Sequence, residues 1–281
     1  MDTKMQRRIG AIVLNVVVGL GGIIIILPVV WMLSASFKST AEIYRFPPTL
    51  IPENLSPSNY QRLVTDWPFW NWYVNSLFVA VVVTIAVLFF SSLAGFGFAK
   101  YRFRGNKVLF LILLGSTMIP FQLILIPLFI IMSRLSWTNT YNALIIPFMA
   151  PAVSIFLMRQ FITSIPSELM ESARIDGASE FGIYWRIILP LSRPALAALA
   201  VLTFLGSWNS FLWPLSVLRA REAMTLPVGL ASIQGGLTAG SEAPIGPSMA
   251  GATLVTIPII LVFILVQRHY IAGLTAASVK Q

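Results

Sequence analysis

The chain has 281 residues, 57% of them hydrophobic and 10% charged, a formal charge of +9 and a mean hydropathy of +0.83. Ordinary soluble domains carry about 25% charge, so a water-solvated fold of this length could not hide so much apolar surface, and lipid is the expected solvent. The absence of cysteine excludes disulfides, thiol chemistry and Cys-based zinc sites, and the basic excess reads as inner-loop charge rather than a nucleic-acid footprint.

Six stretches without an acidic or basic side chain are long enough to cross a bilayer: 9–37, 68–99, 108–133, 135–158, 194–218 and 243–267. A spanning helix takes about 20 residues. The first stretch follows Lys4, Arg7 and Arg8 and ends near the small residues Ser34, Ala35 and Ser36. Its apolar run exceeds the roughly 7–15 residues of a signal-peptide core, so it reads as a retained helix. Residues 67–73, WPFWNWY, form an aromatic cluster suited to the headgroup level at the start of span two. Prolines fall within spans at 120, 127, 147, 151, 214 and 258; each removes an intrahelical hydrogen bond and tends to kink its helix. No charge lies at a span centre, and the lone His269 sits at the inner end of span six. Buried ionisable groups of the kind that ion-coupled carriers keep at mid-membrane are therefore not in evidence.

Loop charges set the orientation. With residues 1–8 inside, the inner segments also hold Lys100, Arg102, Arg104, Lys107, Arg159, Arg174, Arg186, Arg193, Arg268 and Lys280, giving 13 of the 19 basic residues. Lys38, Arg45, Arg62, Arg134, Arg219 and Arg221 remain outside, and the acidic residues divide five and five. The positive-inside rule then predicts that both termini of this multi-pass chain are cytoplasmic. The expected organisation is a cytoplasmic N-terminus (1–8), a first transmembrane helix (9–36), an extracytoplasmic loop (37–67), a core (68–267) and a cytoplasmic tail (268–281).

The inner connection between spans four and five, residues 159–193, has 35 residues, too many for a simple hairpin. Ser167 can cap a helix after Pro166, with Glu168 and Glu171 near its positive end. Leu169, Met170 and Ala173 then fall on one apolar face, Gly177 supplies a stop, Ser179 caps a second short helix and Pro190 ends it. Two short helices bent at a glycine should project from the membrane; the same spacing also fits an amphipathic hairpin lying on its surface.

Glu171, Ser172, Ala173, Asp176, Gly177 and Ala178, followed by Ile187, Leu189 and Pro190, resemble the EAA signature of binding-protein-dependent ABC importers. That pattern is Glu-Ala-Ala, a glycine four residues on, nine arbitrary residues, then Ile-x-Leu-Pro. Ser172 stands where the family has its first alanine. The stretches at 95–105 (GFGFAKYRFRG), 117–129 (TMIPFQLILIPLF), 207–215 (SWNSFLWPL), 225–230 (TLPVGL) and 267–280 (QRHYIAGLTAASVK) likewise resemble the carbohydrate-type permeases of the maltose permease group, in particular its shorter six-span member. The resemblance implies an all-α membrane protein with six transmembrane helices of the type I ABC importer permease fold. It implies a coupling-helix loop between spans four and five whose first helix docks in an ATPase cleft. It also implies a second permease subunit (heterodimer), two copies of a cytoplasmic ABC ATPase and an extracytoplasmic solute-binding protein. Gln267, Arg268 and Gly273, in the tail, are expected near the ATPase.

Energy for transport has to come from elsewhere, because no G-x-x-x-x-G-K-[ST] loop is present. No catalytic nucleophile arrangement or metal-ligand set is expected either; ATP and Mg belong to the partner ATPase, and this chain is not expected to be an enzyme. For the solute path the neutral and aromatic candidates are Asn75 and Ser76 in span two, Gln122 in span three, Asn142 in span four, and Trp208, Asn209, Ser210 and Trp213 in span five. The absence of mid-membrane charge favours a neutral solute, and the resemblance implies a sugar or oligosaccharide; glycerol phosphate or a polyol stays open on the same scaffold. A binding protein would dock on the outer loops, where Gly229, Gly235, Gly236 and Gly240 make either a mobile finger or a flexible connector. An ion-driven carrier and a purely structural subunit are the alternatives.

Overall fold

The computed structural model describes residues 3–235 and 244–278, with side chains over 10–234 and 244–264. Gly236 and Gly240 lie outside them. The described residues form helices and no strand: α1 (Thr3–Ala35), α2 (Thr40–Ile43), α3 (Ser58–Thr65), α4 (Phe69–Lys100), α5 (Asn106–Ser116), α6 (Phe121–Arg134), α7 (Tyr141–Ile145), α8 (Ala152–Thr163), α9 (Glu168–Ile175), α10 (Glu180–Ile183), α11 (Leu189–Leu191), α12 (Arg193–Trp208), α13 (Leu212–Val217), α14 (Leu226–Gly235) and α15 (Ile245–Ser278). Four segments, Gly10–Ala35, Phe69–Lys100, Tyr141–Thr163 and Ile245–Ile264, are long and apolar enough to span a membrane. Two bent pairs, Asn106–Ser116 with Phe121–Arg134 and Glu180–Leu191 with Arg193–Trp208, bring the number to as many as six when each pair counts as one span.

Several expected boundaries move. Span three is not continuous: α5 and α6 meet at 99°. The hydroxyls of Ser116 and Thr117 bond back to the carbonyls of Leu113 (2.7 Å) and Leu114 (2.6 Å), and Pro120 has no N–H to continue the ladder, so the helix stops and restarts. Span four begins at Tyr141 rather than near residue 135, because Ser136 and Asn139 take positive φ. Span five stops at Trp208 and resumes as α13. Helix α15 continues past residue 267 to Ser278, so the backbone of Gln267, Arg268 and Gly273 is helical; their side chains lie outside those described.

The chain forms two compact units, 1–69 with 230–257 and 70–229 with 258–281. In the first, the apolar window of Gly10–Ala35 has 0% of its residues buried, so its stability depends on a lipid surround. The following loop is folded by polar anchors. Buried Asn59 donates to the carbonyls of Ser36 (3.0 Å) and Lys38 (2.7 Å). The Lys38 ammonium bonds the Thr49 carbonyl and lies 4.5 Å from the Trp31 ring centre. Glu42 accepts from the Glu53 N–H (2.9 Å) and the Thr49 hydroxyl (3.2 Å).

In the second unit, Val79, Val83 and Val87 recur every four residues on one face of α4 and join Met158, Ile162, Ile188 and Leu199 in the core. Lipid tails are as apolar as valine, so burial alone gives little drive to hold spanning helices together; close backbone approach and hydrogen bonds do. Gly95 supplies the first, since a Cβ there would lie 2.8 Å from the Met158 Cβ and 2.9 Å from the Arg159 nitrogen. The indole N–H of Trp213 donates to the Ala143 carbonyl (2.8 Å), and the hydroxyls of Ser92 and Tyr184 meet at 2.7 Å.

Candidate functional site

Two features of the second unit bear on function, a lever in the 159–193 connection and a cavity among the spans. The lever starts at α9, whose apolar side is narrower than its spacing implied: Met170 is buried and Ala173 half-buried, while Leu169 is 43% exposed. Ser167 holds the capping position without capping, because its φ of −72° and ψ of −23° are already helical and its hydroxyl accepts no bond. The far end closes firmly. Gly177 has φ +80°; its N–H donates to the Arg174 carbonyl (3.0 Å) and the Ala178 N–H to the Ala173 carbonyl (2.9 Å). That is a Schellman turn, with the orphan carbonyls of α9 satisfied. Ser179 is extended (ψ 155°) and does cap α10, accepting from the Gly182 N–H at 3.1 Å.

Pro190 does not end this run. Helix α11 includes it, and the stop falls at Ser192, where the chain turns 77° into α12. A proline lacks the N–H that would close on the carbonyl four residues back. The preceding turn, Tyr184–Ile188, is accordingly a π-helix, with the Leu189 N–H bonding the Tyr184 carbonyl. Ile187, Leu189 and Pro190 are half-buried, whereas Glu171, Ser172, Asp176 and Gly177 are exposed, and no atom lies within 4 Å of where a Gly177 Cβ would sit.

One clamp was not legible in the sequence. The Arg174 guanidinium grips Glu180 with two bonds (Nε to Oε1 2.7 Å, Nη2 to Oε2 3.1 Å), and the Tyr101 hydroxyl, just past α4, donates to the same carboxylate. Burial, then the bond to Glu180, pushes the Tyr101 phenol up to about 12, so it remains a donor at physiological pH. The clamp ties both arms of the lever to the end of α4.

The cavity has a volume of about 510 Å³ and is lined from α4, α6, α8, α12 and α13. It gathers Ser76, Gln122, Ser210 and Trp213 from the expected path residues and adds Ser154, Thr203, Ser207 and Thr225; no acidic or basic side chain lines it. Phe121, Phe148 and Trp213 form an aromatic wall, each phenylalanine 6.1 Å from the indole. Trp208, Asn209 and Asn75 are not among the lining residues. Trp208 is buried, stacked on Phe204 (5.9 Å, 10°) and edge-on to Tyr73. Asn209 bonds the Leu205 carbonyl at the end of α12 (2.9 Å). Asn75 is a strut: its amide donates to the carbonyls of Glu222 (2.9 Å) and Met224 (3.0 Å) and accepts from the Tyr141 hydroxyl (2.6 Å). Ser76 beside it accepts the Leu226 N–H (2.7 Å).

The family described as "Binding-protein-dependent transport system inner membrane component" matches residues 87–275. The chain belongs to this family. Among similar family members, the arabinooligosaccharides transport system permease protein AraQ of Halalkalibacterium halodurans is 41% identical over 264 residues, 92% of each chain. The lactose transport system permease protein LacG of Rhizobium radiobacter is 33% identical over 283 residues, the full length of both. A permease-family fold is also seen in the crystal structure of a bacterial ABC transporter involved in import of the acidic polysaccharide alginate, at TM-score 0.84 and 29% identity, covering 94% of this chain and 97% of that one.

Proposed function

We propose that this chain is one of two permease subunits of an ATP-driven importer and forms, with its partner, the membrane path for a sugar or oligosaccharide handed over by an extracytoplasmic binding protein. The observation that carries this is the 41% identity across 92% of the chain to an arabinooligosaccharide permease. The exposed face of α9, with Glu171, Ser172, Asp176 and Gly177 free of intrachain cover, supports docking of the lever in a cleft of a cytoplasmic ATPase, two copies of which would hydrolyse ATP with Mg. Thirteen of 19 basic residues on one side of the spans support a cytoplasmic location for the lever, both termini and the 268–281 segment.

The test is purification of the tagged chain in mild detergent, then reconstitution of what comes with it. An ATPase and a second permease should co-purify, and vesicles carrying all three plus the binding protein should accumulate sugar only with ATP inside. Uptake that runs on an ion gradient without nucleotide would overturn the reading.

A further inference from the structure

The turn between α4 and α5 carries a charge that the chain does not balance. Residues 100–107 read KYRFRGNK, and no acidic residue occurs between Asp66 and Glu168. Arg102, Arg104 and Lys107 are exposed. Beneath the turn, Phe98 packs against Phe103 and Phe110, and Phe110 stacks on Phe156 of α8. The half-buried Arg159 guanidinium lies 3.9 Å from the centre of the Phe110 ring and gives the Phe98 carbonyl one long bond from Nε (3.4 Å). Its other N–H groups have no acceptor among the described residues. The ion pairs among those residues are Arg45–Glu53, Arg62–Asp66 and Arg174–Glu180, so none of these four cations has a carboxylate partner there. Glu180, which accepts from the neighbouring Tyr101, is already held by Arg174. A half-buried cation without a counter-charge calls for an anion from outside the chain.

The next helix narrows the choice of anion. On α5, Val108, Leu109, Leu111 and Ile112 are exposed at helical spacing while Phe110 is buried, and Phe103 is exposed in the turn itself. An 11-residue helix rises about 16 Å, close to the hydrocarbon depth of one leaflet. An acidic protein surface would match the cations and leave this apolar face bare, whereas a lipid with an anionic head covers both. We propose that the α4–α5 turn and Arg159 form a binding site for an anionic phospholipid. Its phosphodiester is held by Arg102, Arg104, Lys107 and Arg159, and an acyl chain lies along the exposed face of α5. Loop charge supports the cytoplasmic leaflet, where anionic lipids attract basic segments at the ends of spanning helices. The site requires only that the chain spans a membrane and is independent of how transport is powered.

The experiment uses the full chain, purified in mild detergent with whatever subunits accompany it and stripped of lipid. Phosphatidylglycerol and phosphatidylcholine of the same acyl chains are titrated in, bound lipid is counted by native mass spectrometry, and Tm is followed alongside. Phosphatidylglycerol should bind at least about fivefold more tightly than phosphatidylcholine, the effect expected of one cation beside an anionic head, and should raise Tm. The double variant Arg102→Gln with Arg104→Gln should weaken phosphatidylglycerol by at least about tenfold and leave phosphatidylcholine and the lipid-free Tm unchanged. Arg134→Gln, which removes an exposed cation at the end of α6, should bind as wild type does. Arg159→Gln should also lose phosphatidylglycerol; because this side chain packs on Phe110, the exposed pair is the deciding variant. The site is overturned if the two lipids bind alike, if the double variant keeps phosphatidylglycerol, if Arg134→Gln loses as much, or if inorganic phosphate displaces the lipid. Loss of an accompanying subunit from the double variant, with phosphatidylglycerol still bound, would overturn it in favour of a protein contact.

Discussion

Gly177 offers a perturbation whose outcomes separate two physical causes. Its φ of +80° costs an alanine about 1–2 kcal/mol, whereas asparagine visits this region more readily. Sterics within the chain add nothing, because no atom lies within 4 Å of the added Cβ. Judged by backbone strain alone, Gly177→Ala should therefore do more harm than Gly177→Asn. If a partner surface packs against the bare glycine, the order reverses, since asparagine and aspartate project further. We expect the second order: Gly177→Ala keeps much of its ATP-driven uptake, while Gly177→Asn and Gly177→Asp reach the membrane at normal abundance yet lose uptake. Immunoblotting of membranes and uptake by reconstituted vesicles read the two quantities separately. Better uptake by Gly177→Asn than by Gly177→Ala would refute the docking argument and leave glycine as a local turn requirement.

Gly95→Ala forces α4 away from α8 at Met158 and Arg159 and should cost about 1–3 kcal/mol, visible as a lower Tm in detergent; an unchanged Tm would contradict the close approach. Asn75→Ala leaves the carbonyls of Glu222 and Met224 and the Tyr141 hydroxyl without their partner. At about 0.5–1.5 kcal/mol for each hydrogen bond lost between part-buried groups, the thermal midpoint should fall; an unchanged midpoint would contradict the strut. Glu180→Gln weakens the grip of Arg174 and Tyr101. Because these groups are exposed, Tm should barely move, but hydrogen exchange over residues 176–182 should quicken; unchanged exchange would show the turn closing without the clamp.

What could be read from the sequence was what neighbours in the chain decide. Apolar run lengths located the four continuous spanning helices, Gly177 placed the turn through its positive φ, and Ser179 announced its cap because the N–H it serves is three residues away. Long-range partners were not legible. Asn75 looked like a path residue, yet it is a strut bonded to positions 222 and 224, and Ser76, which does line the cavity, also takes the N–H of Leu226. Trp208 and Trp213 are indistinguishable as letters, but only the second faces the cavity. The helix breaks were half legible: Pro120 marked a kink, while the 99° turn also needed two hydroxyls folding back onto their own helix. Pro190 misled in the opposite way, since a π turn absorbed the missing donor and let the helix run on to Leu191.

The Schellman closure and the Ser179 cap mean that α9 and α10 are folded by bonds within the chain itself. In the proposed docking on an ATPase, such a preorganised loop would incur little chain-ordering entropy. That docking should then lack the large negative heat-capacity change that accompanies coupled folding and binding, and this loop would part and re-dock without refolding.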